Sequence, residues 1–328
     1  MTTDVGHPVA EVVWRFPDDD GTAGSVAELS TYATLAAIES KRGRLLMLHA
    51  AGVADESGRV LAFIGPSGRG KTTLARTLGT GFGYVTDETV GIEADGTVQP
   101  YRKPLSVIRP GESFKDQLAP SELGLQDLPV ADLRLGALVV VSREEDFARA
   151  PEITTMGLCE ALAAIVPEAS YLADMDRPLQ AIAAHVDRCG AIQKITYGEA
   201  EQVLPLVPEL LARTEPERWV AVLPMQDLAG LDTSAGSASY FPVPVIDAVE
   251  AGGQTAVLNN DRMVHVLDGV APTIWRSVCQ GFSFEALLER MDKLFGVPPG
   301  QELADAVVGV LEALAEAGVL VRVPVPVP

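Results

Sequence analysis

Residues 60–72 read Val-Leu-Ala-Phe-Ile-Gly-Pro-Ser-Gly-Arg-Gly-Lys-Thr, and this stretch decides the fold of the chain. The apolar residues 60–64 predict a buried β-strand, and residues 71–78 predict a helix. Between them, residues 65–72 match the pattern G-x-x-x-x-G-K-[ST] without a gap. The glycines of such a loop let backbone N–H groups turn inward around phosphate oxygens, beside the positive end of the helix. The sequence therefore predicts an α/β fold with a phosphate-binding loop, or P-loop.

The loop composition also indicates which cofactors it would take. We expect Lys71 to reach the β- and γ-phosphates of ATP or another nucleoside triphosphate. The hydroxyl of Thr72 is expected to enter the coordination shell of Mg²⁺, which prefers oxygen ligands. The predicted cofactor-binding residues are Gly65, Ser67, Gly68, Arg69, Gly70, Lys71, Thr72 and Thr73.

A carboxylate pair, Asp87 and Glu88, follows the predicted strand 83–86. In a P-loop fold, a carboxylate at the end of a neighbouring strand lies beside the γ-phosphate. There one acid can hold Mg²⁺ and the other can accept a proton from an attacking hydroxyl. A plain ATPase needs only one such acid, and a solvated turn also carries acidic pairs, so both readings stay open at this point.

His49 lies in the apolar strand predicted over 45–53, where a hydrogen-bonded core histidine is the ordinary explanation. Three cations, Arg102, Lys103 and Arg143, would suit phosphate, but a place on the surface explains them at least as well. No role is assigned to these three cations from the sequence.

The rest of the chain divides into two domains and a linker. Around the P-loop, the pattern predicts a helix over 26–41, a strand over 135–141, and helices near 157–166 and 178–187 that cover the sheet. The predicted domains are 1–222 and 240–328, with a Gly/Ser/Asp-rich linker over 223–239.

The second domain changes its pattern to short strands and then helices. A short strand is also predicted over 219–223, just before the linker. The predicted elements are strands near 255–258 and 263–267, helices near 269–279, 283–294 and 301–317, and an extended tail at 321–328. The alternating prolines of that tail, VRVPVPVP, remove hydrogen-bond donors and cannot continue a helix.

Composition excludes several classes of partner. Lys and Arg total 25 against 45 Asp and Glu, a net charge of −20 that repels nucleic acid and anionic membrane surfaces. Three scattered cysteines give neither a disulfide framework nor a zinc site. Residues 1–16 lack a signal-peptide pattern, and no stretch predicts a membrane span. A cytoplasmic protein is the expectation.

Four segments together resemble the catalytic domain of the HPr kinase family, and more closely the HPr-kinase-like enzymes of peptide biosynthetic clusters. They are His49-Ala-Ala-Gly-Val, GPSGRGKTTLA at 65–75, Gly-Tyr-Val-Thr-Asp-Glu at 83–88, and KPLSV at 103–107. The resemblance implies ATP-dependent phosphorylation of a hydroxyl. It implies that Asp87 is the general base, that Glu88 and Thr72 hold Mg²⁺, and that His49 and Lys71 act in the reaction centre.

This chain departs from the family in two ways. HPr kinases usually carry two aspartates at the Asp87-Glu88 position and a serine at the Thr72 position, and both changes keep the chemistry. The later signature associated with the reverse, phosphorolytic reaction has no match here. The resemblance therefore does not extend to HPr as the substrate or to phosphorylase activity.

The C-terminal part resembles a PqqD-like domain, which holds leader peptides in ribosomal peptide biosynthesis. The matching segments are 256–259, 263–271, Ile274-Trp275 and 311–319. The resemblance implies a small α+β winged-helix unit of three strands and three helices. A partner peptide would add an edge strand along about Arg262 to Leu267, against a helix from about Gln301 to Ala317.

Three functional hypotheses follow. The first is a kinase for a Ser or Thr hydroxyl of a ribosomally made precursor peptide, with the leader held by the C-terminal domain. The second keeps the kinase but takes a small-molecule hydroxyl, and the third is a nucleotide-gated peptide-binding scaffold without kinase activity. The HPr kinase resemblance also makes a homo-oligomer an expectation, although nothing in the composition requires one.

Overall fold

A computed structural model describes residues 23–108, 115–222, 233–235 and 238–324. No helix within these ranges is long and apolar enough to cross a membrane. The helices are α1 (Ala23–Ser40), α2 (Lys71–Leu78), α3 (Leu158–Ile165), α4 (Pro178–Cys189), α5 (Val207–Leu210), α6 (Ala271–Cys279), α7 (Phe284–Phe295) and α8 (Leu303–Glu316).

The strands form one large sheet and three smaller ones. The strands up to α4 are β1 (Leu46–Ala54), β2 (Arg59–Ile64), β3 (Gly83–Thr86), β4 (Thr89–Ile92), β5 (Val98–Gln99), β6 (Leu105–Ile108), β7 (Lys115–Leu118), β8 (Arg134–Arg143), β9 (Glu152–Thr155) and β10 (Ala169–Ser170). Those after α4 are β11 (Gln193–Tyr197), β12 (Trp219–Ala221), β13 (Thr233–Ala235), β14 (Ala238–Pro242), β15 (Val245–Ala251), β16 (Gln254–Asn259), β17 (Val264–Leu267) and β18 (Leu320–Pro324).

The main sheet of the described chain has nine strands and mixed direction. Its continuous order is β5-β4-β1-β2-β8-β11-β9, with β3 and β10 also paired to β1. Strands β2, β8 and β11 are parallel neighbours, and their apolar residues are buried because helices cover the sheet. Strands β6 and β7 form a separate hairpin. This arrangement is the α/β fold that the sequence predicts.

Strand β1 changes partners halfway along its length. Its first half, residues 46–49, pairs with β4 and with β10, while residues 50–54 pair with β2 and with β3. In the first half, His49 stands opposite Thr89 of β4. The exchange of partners therefore brings the middle of β1 next to the turn between β3 and β4.

Two apolar cores lie on the two faces of this sheet. On one face, α2 and the segment after β11 pack around residues such as Phe63, Leu74 and Tyr84. On the other face, α3 and α4 pack around residues such as Leu162 and Ile182. The sheet is thus held rigidly at the end of β2, where the glycine-rich loop begins.

The C-terminal part begins with strands and ends with helices. Strands β12, β15, β16 and β17 form an antiparallel sheet in that order, and β13, β14 and β18 form a second one. Helices α6, α7 and α8 pack on these sheets around Trp275, Leu287 and Leu311. Three antiparallel strands followed by three helices are therefore present between residues 245 and 316.

The C-terminal sheet is fused to the main core. Val249, Ala251, Ala256 and Leu258 belong to the same buried cluster as residues of α3 and α4. The fully buried carboxylate of Asp247, at the start of β15, accepts hydrogen bonds from the backbone N and the side-chain Nε2 of Gln180 on α4, at 3.0 and 2.7 Å. One face of the C-terminal sheet therefore packs into the core formed by α3 and α4, while helices α6 to α8 pack in a cluster of their own.

The strand, loop and helix over 60–78 are confirmed, and three other segments differ from expectation. β12 pairs with β15, although the sequence assigns residues 219–221 to the first domain. In the predicted linker 223–239, residues 233–235 form a strand that pairs with residues 238–240 of β14. Residues 223–232 and 236–237 lie outside the described part.

The predicted tail starts as a paired strand. β18 pairs with β14, because prolines are tolerated at the ends and edges of sheets. Residues 325–328 lie outside the described part of the chain, as do residues 1–16, where the sequence predicts no signal peptide.

Candidate active site

The glycine-rich loop has the backbone geometry its composition predicts. Gly68 and Gly70 have φ angles of 80° and 83°, in the left-handed region that favours glycine. A Cβ atom at Gly70 would lie 3.3 Å from Cδ of Arg143, a tight contact that a shift of that side chain by a few tenths of an ångström would relieve. Helix α2 begins directly after this residue, at Lys71, and the loop therefore directs the N-terminus of α2 toward the space above it.

Lys71 is held at the base of this loop. Its Nζ donates hydrogen bonds to the carbonyl oxygens of Gly65 and, at 2.9 Å, of Pro66. Burial lowers the pKa of Lys71, and the carboxylates of Glu168 and Glu88 oppose that shift. The P-loop lysine is therefore a buried amine whose charge is supported by two acidic side chains.

Asp87 and Glu88 form the turn between β3 and β4, and the turn is fixed to β1. The hydroxyl of Thr86 accepts hydrogen bonds from the backbone N–H groups of Glu88 and Thr89, both at 3.2 Å. The carbonyl of Glu88 accepts from the backbone N–H of Ala50 at 3.1 Å. The turn is thus tied to the strand that carries His49.

A lysine that the sequence left without a role lies between these two acids. Nζ of Lys103 is 3.2 Å from Oδ1 of Asp87 and 3.0 Å from Oε2 of Glu88, and only 8% of Lys103 is exposed. Burial lowers the pKa of Lys103, but the two carboxylates outweigh it and raise the pKa overall. The hydroxyl of Tyr84 also donates to Oδ1 of Asp87, at 3.2 Å. Asp87 is therefore buried with a cation and a phenol as partners.

His49 is half-buried beside another carboxylate. Its Nδ1 lies 3.6 Å from Oε2 of Glu168. Burial and the charge of Lys71 lower the pKa of His49, against the opposing effect of Glu168, Glu88 and Asp87. The imidazole is therefore neutral at pH 7, which suits a hydrogen-bonding role more than a cationic one.

These side chains surround one cavity of about 540 Å³. The predicted site residues that line this cavity are His49, Ser67, Gly68, Gly70, Lys71, Thr72, Thr73, Asp87 and Glu88. Gly65 and Arg69 were also predicted but do not line it. Gly65 instead contributes its carbonyl oxygen to Lys71, and the Arg69 side chain is exposed. The remaining lining residues are Arg76, Lys103, Ser106, Val107 and Arg143.

The three cations to which the sequence assigns no role, Arg102, Lys103 and Arg143, occupy different places in the structure. Lys103 and Arg143 line the cavity, whereas Arg102 pairs with the exposed Asp127 at 3.0 Å. Nε of Arg143 donates to the carbonyl of Gly198 at 2.9 Å, which holds the guanidinium near the loop. No sequence motif marks Glu168 as a site residue, since it simply follows an alanine-rich helix. Only long-range packing brings it close to His49.

The donor set of the cavity fits a nucleoside triphosphate with Mg²⁺. Loop N–H groups, Lys71 and Arg143 supply positive charge for phosphate oxygens. Thr72 and Glu88, the predicted metal ligands, line the same cavity and offer the oxygen ligands that Mg²⁺ prefers. Glu88 is the more exposed of the two acids, so its carboxylate is open to the cavity.

The fold and this cavity together define an α/β protein with a P-loop facing a carboxylate pair. No known family model matches the sequence, and no curated relative matches it. Among solved structures, the HPr(Ser) kinase/phosphatase from Coxiella burnetii is similar at 12% identity, with a TM-score of 0.29. The similarity covers 50% of this chain and 93% of that chain.

Proposed function

We propose that the protein is a phosphotransferase that uses a nucleoside triphosphate, most simply ATP, and Mg²⁺ to phosphorylate a hydroxyl group. The observation that carries the proposal is the single cavity shared by a P-loop and by the buried pair of Asp87 and Lys103. A site that only bound nucleotide would not require a second, buried carboxylate beside the phosphate-binding loop. Phosphoryl transfer needs chiefly positioning and charge neutralisation, which such a cavity supplies.

The nucleotide side of the cavity would be formed by the loop and its neighbours. Lys71 would exchange its loop carbonyl partners for phosphate oxygens, and Arg143 would contact the same phosphates from the end of β8. Thr72 and Glu88 would hold Mg²⁺, which supplies positive charge to the transferring phosphoryl group.

The acceptor side would be formed by Asp87. Its Oδ1 is 3.2 Å both from Nζ of Lys103 and from the hydroxyl of Tyr84, and the second oxygen, Oδ2, would meet the acceptor hydroxyl. A carboxylate in that position takes the hydroxyl proton as the oxygen attacks the phosphorus. Lys103 would keep Asp87 in place while Glu88 is engaged with the metal.

The acceptor we propose is a Ser or Thr of a ribosomally made precursor peptide. In the described residues, β17 pairs with β16 at the end of its sheet and has no second strand partner. An edge strand of this kind can take an added peptide strand, whose main-chain hydrogen bonds supply affinity. Holding the leader there would raise the effective concentration of the core peptide at the cavity.

The decisive experiment is intact mass spectrometry of candidate precursor peptides incubated with the protein, ATP and Mg²⁺, with and without their leader segments. We expect the full precursor to gain phosphate and the leaderless core to gain much less. Asp87→Asn should abolish the transfer, whereas Asp127→Asn, which changes an exposed acid, should not.

The other possible outcomes of this experiment favour other functions. Nucleotide turnover without any peptide phosphate would favour a small-molecule hydroxyl as the acceptor. Peptide binding that depends on nucleotide but survives Asp87→Asn, without turnover, would favour a nucleotide-gated scaffold. Equal phosphorylation of leaderless and full peptides would contradict the proposed role of β17.

A further inference from the structure

We propose that Glu168 is a positioning residue for His49, holding the imidazole so that its proton is on Nδ1 and its lone pair is on Nε2. The assignment rests on the proposed function, because it concerns the same cavity. It adds a residue that belongs to none of the sequence motifs of the site.

The geometry of the pair is the first support. Oε2 of Glu168 lies 3.6 Å from Nδ1 of His49, and the Glu168 side chain is only 12% exposed. A carboxylate this sheltered from water interacts with a neighbouring N–H group more strongly than a surface carboxylate does. At this distance the carboxylate acts on the Nδ1 position by its charge, and a hydrogen bond would require a closer approach.

The backbone around Glu168 is fixed directly to the strand of His49. Ala169 and Ser170, which follow Glu168, form β10 and pair with Leu48 and Met47 of β1. On the other side, α3 ends at Ile165, which is fully buried. Glu168 is therefore held on both sides by rigid structure, as a residue that orients another must be.

The charges around His49 favour one tautomer of its neutral ring. A neutral imidazole carries a single ring proton, so a carboxylate at Nδ1 favours the tautomer protonated there. Nε2 then has a lone pair, and the cation of Lys71 acts on the same ring. With Glu168 in place, His49 presents to the cavity a hydrogen-bond acceptor rather than a donor. That polarity suits an N–H or O–H group of the acceptor segment.

The first test is the ¹⁵N NMR spectrum of the imidazole groups in the full-length protein, at a pH where the rings are neutral. The chain has four histidines, and the His49 signals are assigned from a His49→Gln variant. We expect Glu168→Leu to shift the two His49 ring nitrogens toward each other as the tautomer preference is lost. The signals of the buried His185 should stay in place and report that the fold is retained.

Two further variants sharpen this test. Glu168→Gln keeps a carbonyl oxygen that can accept the Nδ1 proton, so it should restore much of the wild-type pattern. Glu160→Leu removes an exposed acid from α3 and should leave the His49 signals unchanged. Identical His49 signals in the wild type and Glu168→Leu would overturn the assignment.

Kinetics provide the second readout. We expect Glu168→Leu to lower kcat for phosphoryl transfer roughly tenfold to hundredfold, and Glu168→Gln, which removes the same charge beside Lys71, to lower kcat much less. If the wild type transfers no phosphate, the proposed function fails, while the NMR comparison still decides the pairing of Glu168 and His49. If transfer proceeds equally in the wild type and Glu168→Leu, Glu168 does not position His49 for the reaction.

Discussion

Lys103 is the residue on which the carboxylate pair depends. It lies within 3.2 Å of both acids, and removing its charge leaves the buried Asp87 with the Tyr84 hydroxyl as its one side-chain partner among the described residues. We expect Lys103→Met to lower the free energy of unfolding by about 3 kcal/mol, as for other buried pairs that lose one member. We also expect it to lower kcat at least tenfold. Urea unfolding and the peptide assay measure the two effects.

Arg102 offers a matched control for this variant. It is the preceding residue, and its partner Asp127 is almost fully exposed. Arg102→Met should therefore change the free energy of unfolding by no more than about 0.5 kcal/mol. The double variant Lys103→Met, Asp87→Asn should recover part of the lost stability, since it removes the unpaired charge. Equal losses in the Lys103 and Arg102 variants would contradict the pairing.

His185 makes stability depend on pH. It is buried on α4, and burial, with a contribution from Arg188, lowers its pKa from 6.5 to about 4. Between these values the unfolded chain binds a proton that the folded chain excludes, so stability falls as the pH drops through this window. From pH 7 to pH 5 this single group should cost about 2 kcal/mol.

The measurement compares urea unfolding of the wild type and His185→Gln at pH 7 and pH 5. The other histidines and the carboxylates titrate in both proteins, so the difference between them isolates His185. The variant should lose about 2 kcal/mol less stability over this interval. If the free energies of unfolding of the wild type and His185→Gln differ by the same amount at both pH values, His185 is not buried as a neutral group.

At the scale of elements, β15 caps α4. The first turn of a helix has N–H groups without partners inside the helix, and Arg177 provides no side-chain cap for α4. Asp247 instead accepts from the backbone N–H of Gln180 at 3.0 Å, from a strand 67 residues further along the chain. We expect Asp247→Ala to destabilise the protein by about 3 kcal/mol, because it leaves buried donors without an acceptor.

The control for Asp247 is Asp292→Ala, which removes an exposed acid from α7. This substitution should change the free energy of unfolding by no more than about 0.5 kcal/mol. Hydrogen exchange should show faster exchange in the first turn of α4 for Asp247→Ala and no such change for the control. Unchanged protection of α4 would mean that the cap does not stabilise the helix.

Elements that depend on local signals could be predicted from the sequence, and contacts between distant elements could not. Strand β2, the loop and α2 follow from one continuous stretch, residues 60–78, and the glycine pattern in its loop admits few other conformations. Asp87 and Glu88 follow from their position after a short strand. Glu168 is different, because its place beside His49 depends on β10 pairing with β1.

The cations show the same limit at the level of single side chains. Lys103 and Arg102 are adjacent in the sequence and equally cationic, yet one is buried between two acids and the other meets an exposed aspartate. Nothing in the local pattern distinguishes them, since burial is decided by what packs above each residue. The same holds for Asp247, whose partner lies on α4.

At the scale of the whole molecule, the sequence predicts two domains joined by a linker but not how closely their cores join. Strand β12 precedes the predicted linker and still belongs to the C-terminal sheet. Residues such as Leu258 of β16 are buried with residues of α3 in one cluster. The composition of the sequence indicates where one domain ends and the next begins. It does not show which apolar faces of the two domains pack against each other.

The packing of β15 and β16 into the cluster of α3 and α4 predicts that the chain unfolds as one cooperative unit. Nucleotide bound at the P-loop should therefore stabilise the distant C-terminal helices as much as it stabilises the loop. Trp275 of α6 is 2% exposed and reports on that region by fluorescence once Trp14 and Trp219, the other two tryptophans, are changed to Phe. With Mg²⁺ and ADP at about one hundred times the Kd, the stabilisation should be about 2.7 kcal/mol.

The unfolding midpoint measured at Trp275 should rise with nucleotide, and it should coincide with the midpoint from circular dichroism in the same sample. Lys71→Ala is the matched control, because it weakens nucleotide binding without touching the C-terminal core, and in that variant the midpoint should not move. Two separate transitions, with only the earlier one responding to nucleotide, would mean that the C-terminal unit folds independently. Any influence of a bound leader on phosphoryl transfer would then depend on tethering alone. A single transition would instead allow the sheet to act on the cavity through α3, which ends three residues before Glu168.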